Sequence, residues 1–179
     1  MAIIKPNNNT ISAITALPAA IPTGKVLQVV STAKTDIFTT TSTSFTDITG
    51  LTVSITPSAS SSKIYIITNF EFGVSSGSGY AQFRMLRDST VINAGASSGN
   101  RSLGILSMGG GLYNSDSATG FLCASSFLDS PSTTSETTYK IQAKQSAGAT
   151  TYVGCNSGDG NSSGSLRASS VITVYEISG

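Results

Sequence analysis

Nine carboxylates, two thiols and no imidazole make up the reactive inventory of this 179-residue chain. Histidine is the side chain best matched to proton transfer near neutral pH and the commonest metal ligand. Its absence removes the Ser-His-Asp and Cys-His arrangements and every His-bearing zinc site. Acid–base chemistry would then fall to carboxylate pairs, as in sugar cleavage, where two of them flank the scissile bond. Asp36, Asp47, Glu71, Asp88, Asp116, Asp129, Glu136, Asp159 and Glu176 are scattered, and no spacing singles out a pair. Asp47, Asp88 and Asp129 occupy turn-like positions, where Asp bonds its local backbone. Glu71 and Glu176 read as strand residues.

Other groups also fall short of a site. Asn156, Asp159 and Asn161 resemble a fragment of a calcium loop without its full spacing or terminal Glu, so a turn is expected there. Gly109-Gly110-Gly111 is not followed by the Lys-Ser/Thr of a phosphate loop. Tyr80, Tyr113 and Tyr152 would stack on sugars if exposed at loop ends, although core or interface roles are commoner for tyrosine. Arg84 and Arg87 are the only basic residues close together, and a solvated or paired face is the expected reading. Cys123 and Cys155 could form one disulfide, but free buried thiols are preferred. No catalytic, cofactor-binding or metal-ligating residue is therefore expected, and the chain reads as a protein that is not an enzyme.

Composition points the same way. Only 11% of residues are charged and the net charge is +1, which is no footprint of a nucleic-acid binder. Ser and Thr supply roughly three residues in ten, well above ordinary usage. No apolar run approaches the roughly 20 residues that cross a bilayer, and Met1 to Pro6 does not read as a secretory signal. Such a chain wets its surface with hydroxyls instead of charges.

The elements follow from periodicity. Residues 1–24 form a separate N-terminal attachment arm. Ile11, Ile14, Leu17 and Ile21 are its apolar anchors, and Pro6, Pro18 and Pro22 limit it to one helical turn near 11–17. It has too few internal contacts to fold alone, so those four residues are expected to dock on a partner. Residues 25–179 form one domain of eight to ten strands with no long helix. Leu51, Val53 and Ile55 alternate with Thr52, Ser54 and Thr56, and Tyr139, Ile141 and Ala143 point inward by the same period of two. Asp88-Ser89 reads as a turn, and 94–117 as a long loop with a short strand. The fold class is all-β, an antiparallel β-sandwich or jelly roll. Segments 63–67, 121–128 and 171–177 are apolar on both faces, whereas an isolated sandwich wets one face of each strand. That surplus implies a face buried in a homotrimer.

Four separated runs then match in order. They are Gly24 to Val30, Phe45 to Pro57, Phe127 to Pro131 with Thr137 to Gln142, and Ala168 to Ile177. Together they resemble a family of small structural proteins of phages of cyanobacteria and other aquatic bacteria, usually labelled fibre-like. The resemblance spans most of residues 24–177, and residues 1–23 match only in kind. It implies a virion protein on the tail or capsid surface, a trimeric β-sandwich with no established catalytic motif. The expected function is a fibre-like surface protein, anchored by its arm and in contact with the host surface. The alternatives are a capsid decoration (cement) protein and, in another class, a secreted lectin-like or glycan-cleaving module. Expected partners are copies of itself, other virion proteins through the arm, and a host-surface glycan. Nucleic acid and membrane insertion are not expected, and no cofactor is.

Overall fold

A computed structural model describes residues 24–75, 79–109, 119–146 and 148–179. The helical turn expected near 11–17 and the anchors Ile11, Ile14, Leu17 and Ile21 lie outside the described residues, as do Tyr113 and Asp116.

Among the described residues, eleven strands run in chain order: β1 Val26–Lys34, β2 Phe38–Thr40, β3 Thr46–Ile55, β4 Lys63–Val74, β5 Tyr80–Arg87, β6 Thr90–Ile92, β7 Leu106–Gly109, β8 Phe121–Asp129, β9 Thr137–Gln145, β10 Thr151–Val153 and β11 Ser170–Ile177. They make two antiparallel sheets. In the first, β4 is the central strand. Residues 63–69 of β4 pair with β11, which pairs in turn with β1, while residues 72–74 pair with β10 and β10 with β2. The other edge of β4 is lined by β8 from Ile64 to Phe72. The second sheet runs β3-β9-β5, with β6 and β7 sharing the far edge of β5.

The sheets stack face to face, β3 crossing β1 and β11. Between them lies one core that includes Leu51, Val53, Ile55, Ile64, Ile66, Phe70, Phe72, Phe83, Met85, Ile141, Ile172 and Val174, all buried. Fully burying each of these side chains stabilises by about 1.5–3 kcal/mol. Phe83 of β5 meets Phe70 and Phe72 of β4 edge to face, with ring centroids 5.0 and 4.8 Å apart. That geometry suits the positive ring edge against the negative face and fixes how the sheets sit on each other.

The alternation expected for 51–55 and 139–143 is present, with the apolar members buried. β3 nevertheless begins five residues earlier than the pattern signals. Ile48 and Leu51 are both buried although three apart, because the pairing with β9 shifts between Asp47 and Thr52. Gly50 at φ +83° takes the left-handed conformation that such a bulge needs. The short β2 had no sequence signal of its own and is held by its pairing with β10.

Candidate functional site

The two outward faces of the sandwich differ in chemistry. On the first sheet, the doubly apolar segments 63–67, 121–128 and 171–177 are neighbours, as β4, β8 and β11. Their cross-strand register builds outward rows. One row is Val29, Tyr175, Tyr65 and Leu128, and the next is Ser31, Thr173, Ile67 and Ser126. The rings of Tyr65 and Tyr175 lie 6.3 Å apart, and the Ser31 and Thr173 hydroxyls bond at 2.8 Å. Among the described residues, five of the seven large apolar side chains left exposed belong to the edge strands of this sheet. They are Val26, Leu27 and Val29 of β1 and Leu122 and Leu128 of β8. Lys63 and Glu71 are the only charges that β1, β4, β8 and β11 turn outward. Lys63 bonds Ser130 Oγ at 2.9 Å, and burial raises the Glu71 carboxyl above its usual range.

The outward face of the second sheet is polar and cationic. The period of two on β9 turns Lys140, Gln142 and Lys144 outward beside Gln82 and Arg84 of β5 and Asp47 of β3. Phe45, just before β3, lies at the same edge. The Arg84 guanidinium carbon sits 4.1 Å from the Phe45 ring centre, and Lys144 Nζ sits 4.9 Å from it. Arg84 Nε donates to Gln142 Oε1 at 2.7 Å, and Lys144 Nζ to Ser102 Oγ at 2.7 Å. Lys140 Nζ and Gln142 Nε2 donate to Asp47, at 2.8 and 2.6 Å. Burial opposes ionisation of the Asp47 carboxyl, but these two donors outweigh it and hold the group below its usual range. A cavity of about 170 Å³ lies alongside, lined by Phe45, Gln82 and the segment Ser102 to Ser107.

Asp88, Asp129, Asp159 and Glu176 are engaged in structure. Asp88 sits in the β5–β6 turn at φ +52° as expected, but its carboxylate accepts from Thr138 N of β9 and not from its local backbone. Asp47 and Asp129 do not fit the turn reading. Asp47 is a strand residue holding Lys140 and Gln142. Asp129 closes β8 and takes Arg87 Nη1 at 2.9 Å and the Tyr139 hydroxyl at 2.8 Å. Arg84 and Arg87 therefore have separate roles. Three residues apart on a strand, they emerge on opposite faces.

Glu176 is buried and accepts from Gln28 Nε2, Ser58 N, Ser58 Oγ and Ser62 Oγ at 2.6–2.7 Å. Burial alone would raise its carboxyl, but these bonds win and hold it at about 2. In the loop after β10, Arg167 grips Asp159 through two bonds of 2.8 and 2.6 Å, and Asn156 Oδ1 accepts from Leu166 N. Two of the calcium-like triplet, Asn156 and Asp159, are thus spent on closing a turn. Among the described residues, no group of three or more His, Cys, Asp or Glu gathers into a metal-holding set. Cys123 and Cys155 are free and buried, and burial pushes their thiols up to about 12 and about 11. Tyr80 is exposed at the start of β5, while Tyr152 is half-buried on β10.

The Phe45 cluster was not legible from the sequence. Its members come from three separated stretches, and the alternation of Lys140, Gln142 and Lys144 was the one available signal.

No known family model matches the chain, and no curated protein does. Among solved structures, it is similar to a chain from the structure of infectious bursal disease virus, Gx strain. The two are 15% identical with a TM-score of 0.39, over 85% of this chain and 36% of the viral one. The present chain thus spans about a third of that chain's length.

Proposed function

We propose that this chain is a non-enzymatic virion structural protein that assembles as a homotrimer through the outward face of its first sheet. The observation that carries the reading is the convergence of all three doubly apolar segments on that one face, bordered by exposed Val29, Leu122 and Leu128. A face on which several large apolar side chains stay exposed suits an interaction site, and closed symmetry buries it on every copy. The resemblance of four ordered runs to fibre-like phage proteins supplies the setting.

In this reading residues 1–24 anchor the trimer to the particle through Ile11, Ile14, Leu17 and Ile21, and the cationic sheet faces the host surface. Deleting residues 1–22 is expected to leave a folded trimer that no longer enters particles. Labelling intact particles with an antibody to the trimer tests placement. Signal on the tail or capsid surface supports the role, and particles without signal overturn it.

A further inference from the structure

We infer that the outward face of the second sheet carries a binding site for an acidic saccharide, centred on Arg84, Lys144 and Phe45. Two cations share one aromatic ring, at 4.1 and 4.9 Å, and neither is hydrogen-bonded to a carboxylate among the described residues. Arg84 spends only Nε on the neutral Gln142, and Lys144 is held by the neutral Ser102. The nearby carboxylate, Asp47, is occupied by Lys140 and Gln142, although it feels the Arg84 charge. Both cations thus keep charge to offer an incoming anion. Stacking on Phe45 pre-orders both side chains, which lowers the entropic cost of binding.

The surroundings select for a sugar. Gln82 Nε2 and Ser107 Oγ bond across β5 and β7 at 3.2 Å, and Ser102 lies beside them. These neutral donors and acceptors suit hydroxyl groups, and the adjoining cavity of about 170 Å³ has room for a single pyranose ring. The anionic group is a ring carboxylate or a sulfate, both of which present oxygens to a guanidinium and an ammonium. The site lies on the face opposite the proposed trimer contact and deepens the host-surface reading. Its test is independent of assembly.

Calorimetric titration with oligogalacturonate, a sulfated galactan oligosaccharide and a neutral maltooligosaccharide of equal length tests the proposal. The native protein is expected to bind one or both acidic sugars, with affinity falling as salt rises, and to ignore the neutral one. The order of the two acidic sugars tells carboxylate from sulfate. Arg84→Gln with Lys144→Gln is expected to weaken binding about tenfold or more, as loss of charged hydrogen bonds requires. Lys144→Gln alone, in a half-exposed side chain that supports no core contact, gives the same direction if the double variant fails to fold. Chemical-shift changes should centre on Phe45, Gln82 and Gln142. Absence of acidic-sugar binding at millimolar ligand overturns the proposal. So do equal binding of the neutral sugar and undiminished affinity in the single and double variants.

Discussion

The Tyr139 hydroxyl on β9 donates to Asp129 Oδ2 at the end of β8, a bond of 2.8 Å that joins the two sheets. Arg87 of β5 approaches the same carboxylate with Nη1 2.9 Å from each oxygen. Asp129 is buried, so its charge is tolerated only because both donors converge on it. Removing one donor and removing the carboxylate should therefore differ. Tyr139→Phe keeps the ring packing and is expected to cost about 1–1.5 kcal/mol. Asp129→Ala leaves the buried Tyr139 hydroxyl without its acceptor and also removes the Arg87 ion pair, and a larger loss of about 2–3 kcal/mol is expected. Urea denaturation of the two variants measures both, and equal costs would contradict the shared role.

Glu176 sets an acid limit on stability. Its folded carboxyl sits at about 2 against a usual 4.5. A depressed carboxyl contributes fully above the unfolded value and loses that contribution as pH falls toward the folded one. Stability should therefore drop between pH 4.5 and about 2. Glu176→Gln is expected to cost about 1–3 kcal/mol at neutral pH, since an amide cannot accept all four bonds. The variant should also flatten the acid slope in urea midpoints, and an unchanged slope would contradict this assignment.

The thiols should be silent in the folded protein. At pH values well below about 11, Cys155 and Cys123 are both protonated and buried, and the thiolate is the nucleophile. A disulfide-exchange reagent at mildly alkaline pH is expected to leave both untouched until denaturant is added. Rapid labelling of either in the native state would show that its cover opens.

Gly73 is required by packing, not by its φ. A Cβ there would stand 2.2 Å from the Ser157 backbone nitrogen, where the loop after β10 crosses β4. A backbone neighbour cannot swing aside as a side chain can, so Gly73→Ala must displace the loop. A loss of about 1–3 kcal/mol, the usual cost of overpacking, is expected in thermal or urea unfolding.

How much of this was legible follows from what period-two alternation encodes. The clean runs 51–55 and 139–143 announced strands and inward faces because half-buried strands must alternate. The start of β3 was hidden because the Gly50 bulge places Ile48 and Leu51 on one face at a spacing of three. The surplus apolar faces could be seen in 63–67, 121–128 and 171–177, but their adjacency depends on long-range pairing with β4. Asp129 looked like a turn former because its partners, Arg87 and Tyr139, lie on the other sheet. The same limit hid the Phe45 cluster, whose cations arrive from β5 and β9.

The central claim is that the face of β1, β11, β4 and β8 is covered by further copies of the chain. Sedimentation equilibrium at micromolar concentration tests it most directly. The native protein is expected to sediment as three copies of the 18.2 kDa chain. Ile67→Glu, which places a charge at the middle of the face without touching the core, is expected to give a folded monomer. A native protein that stays monomeric at that concentration, or an Ile67→Glu variant that remains a trimer, would contradict the account.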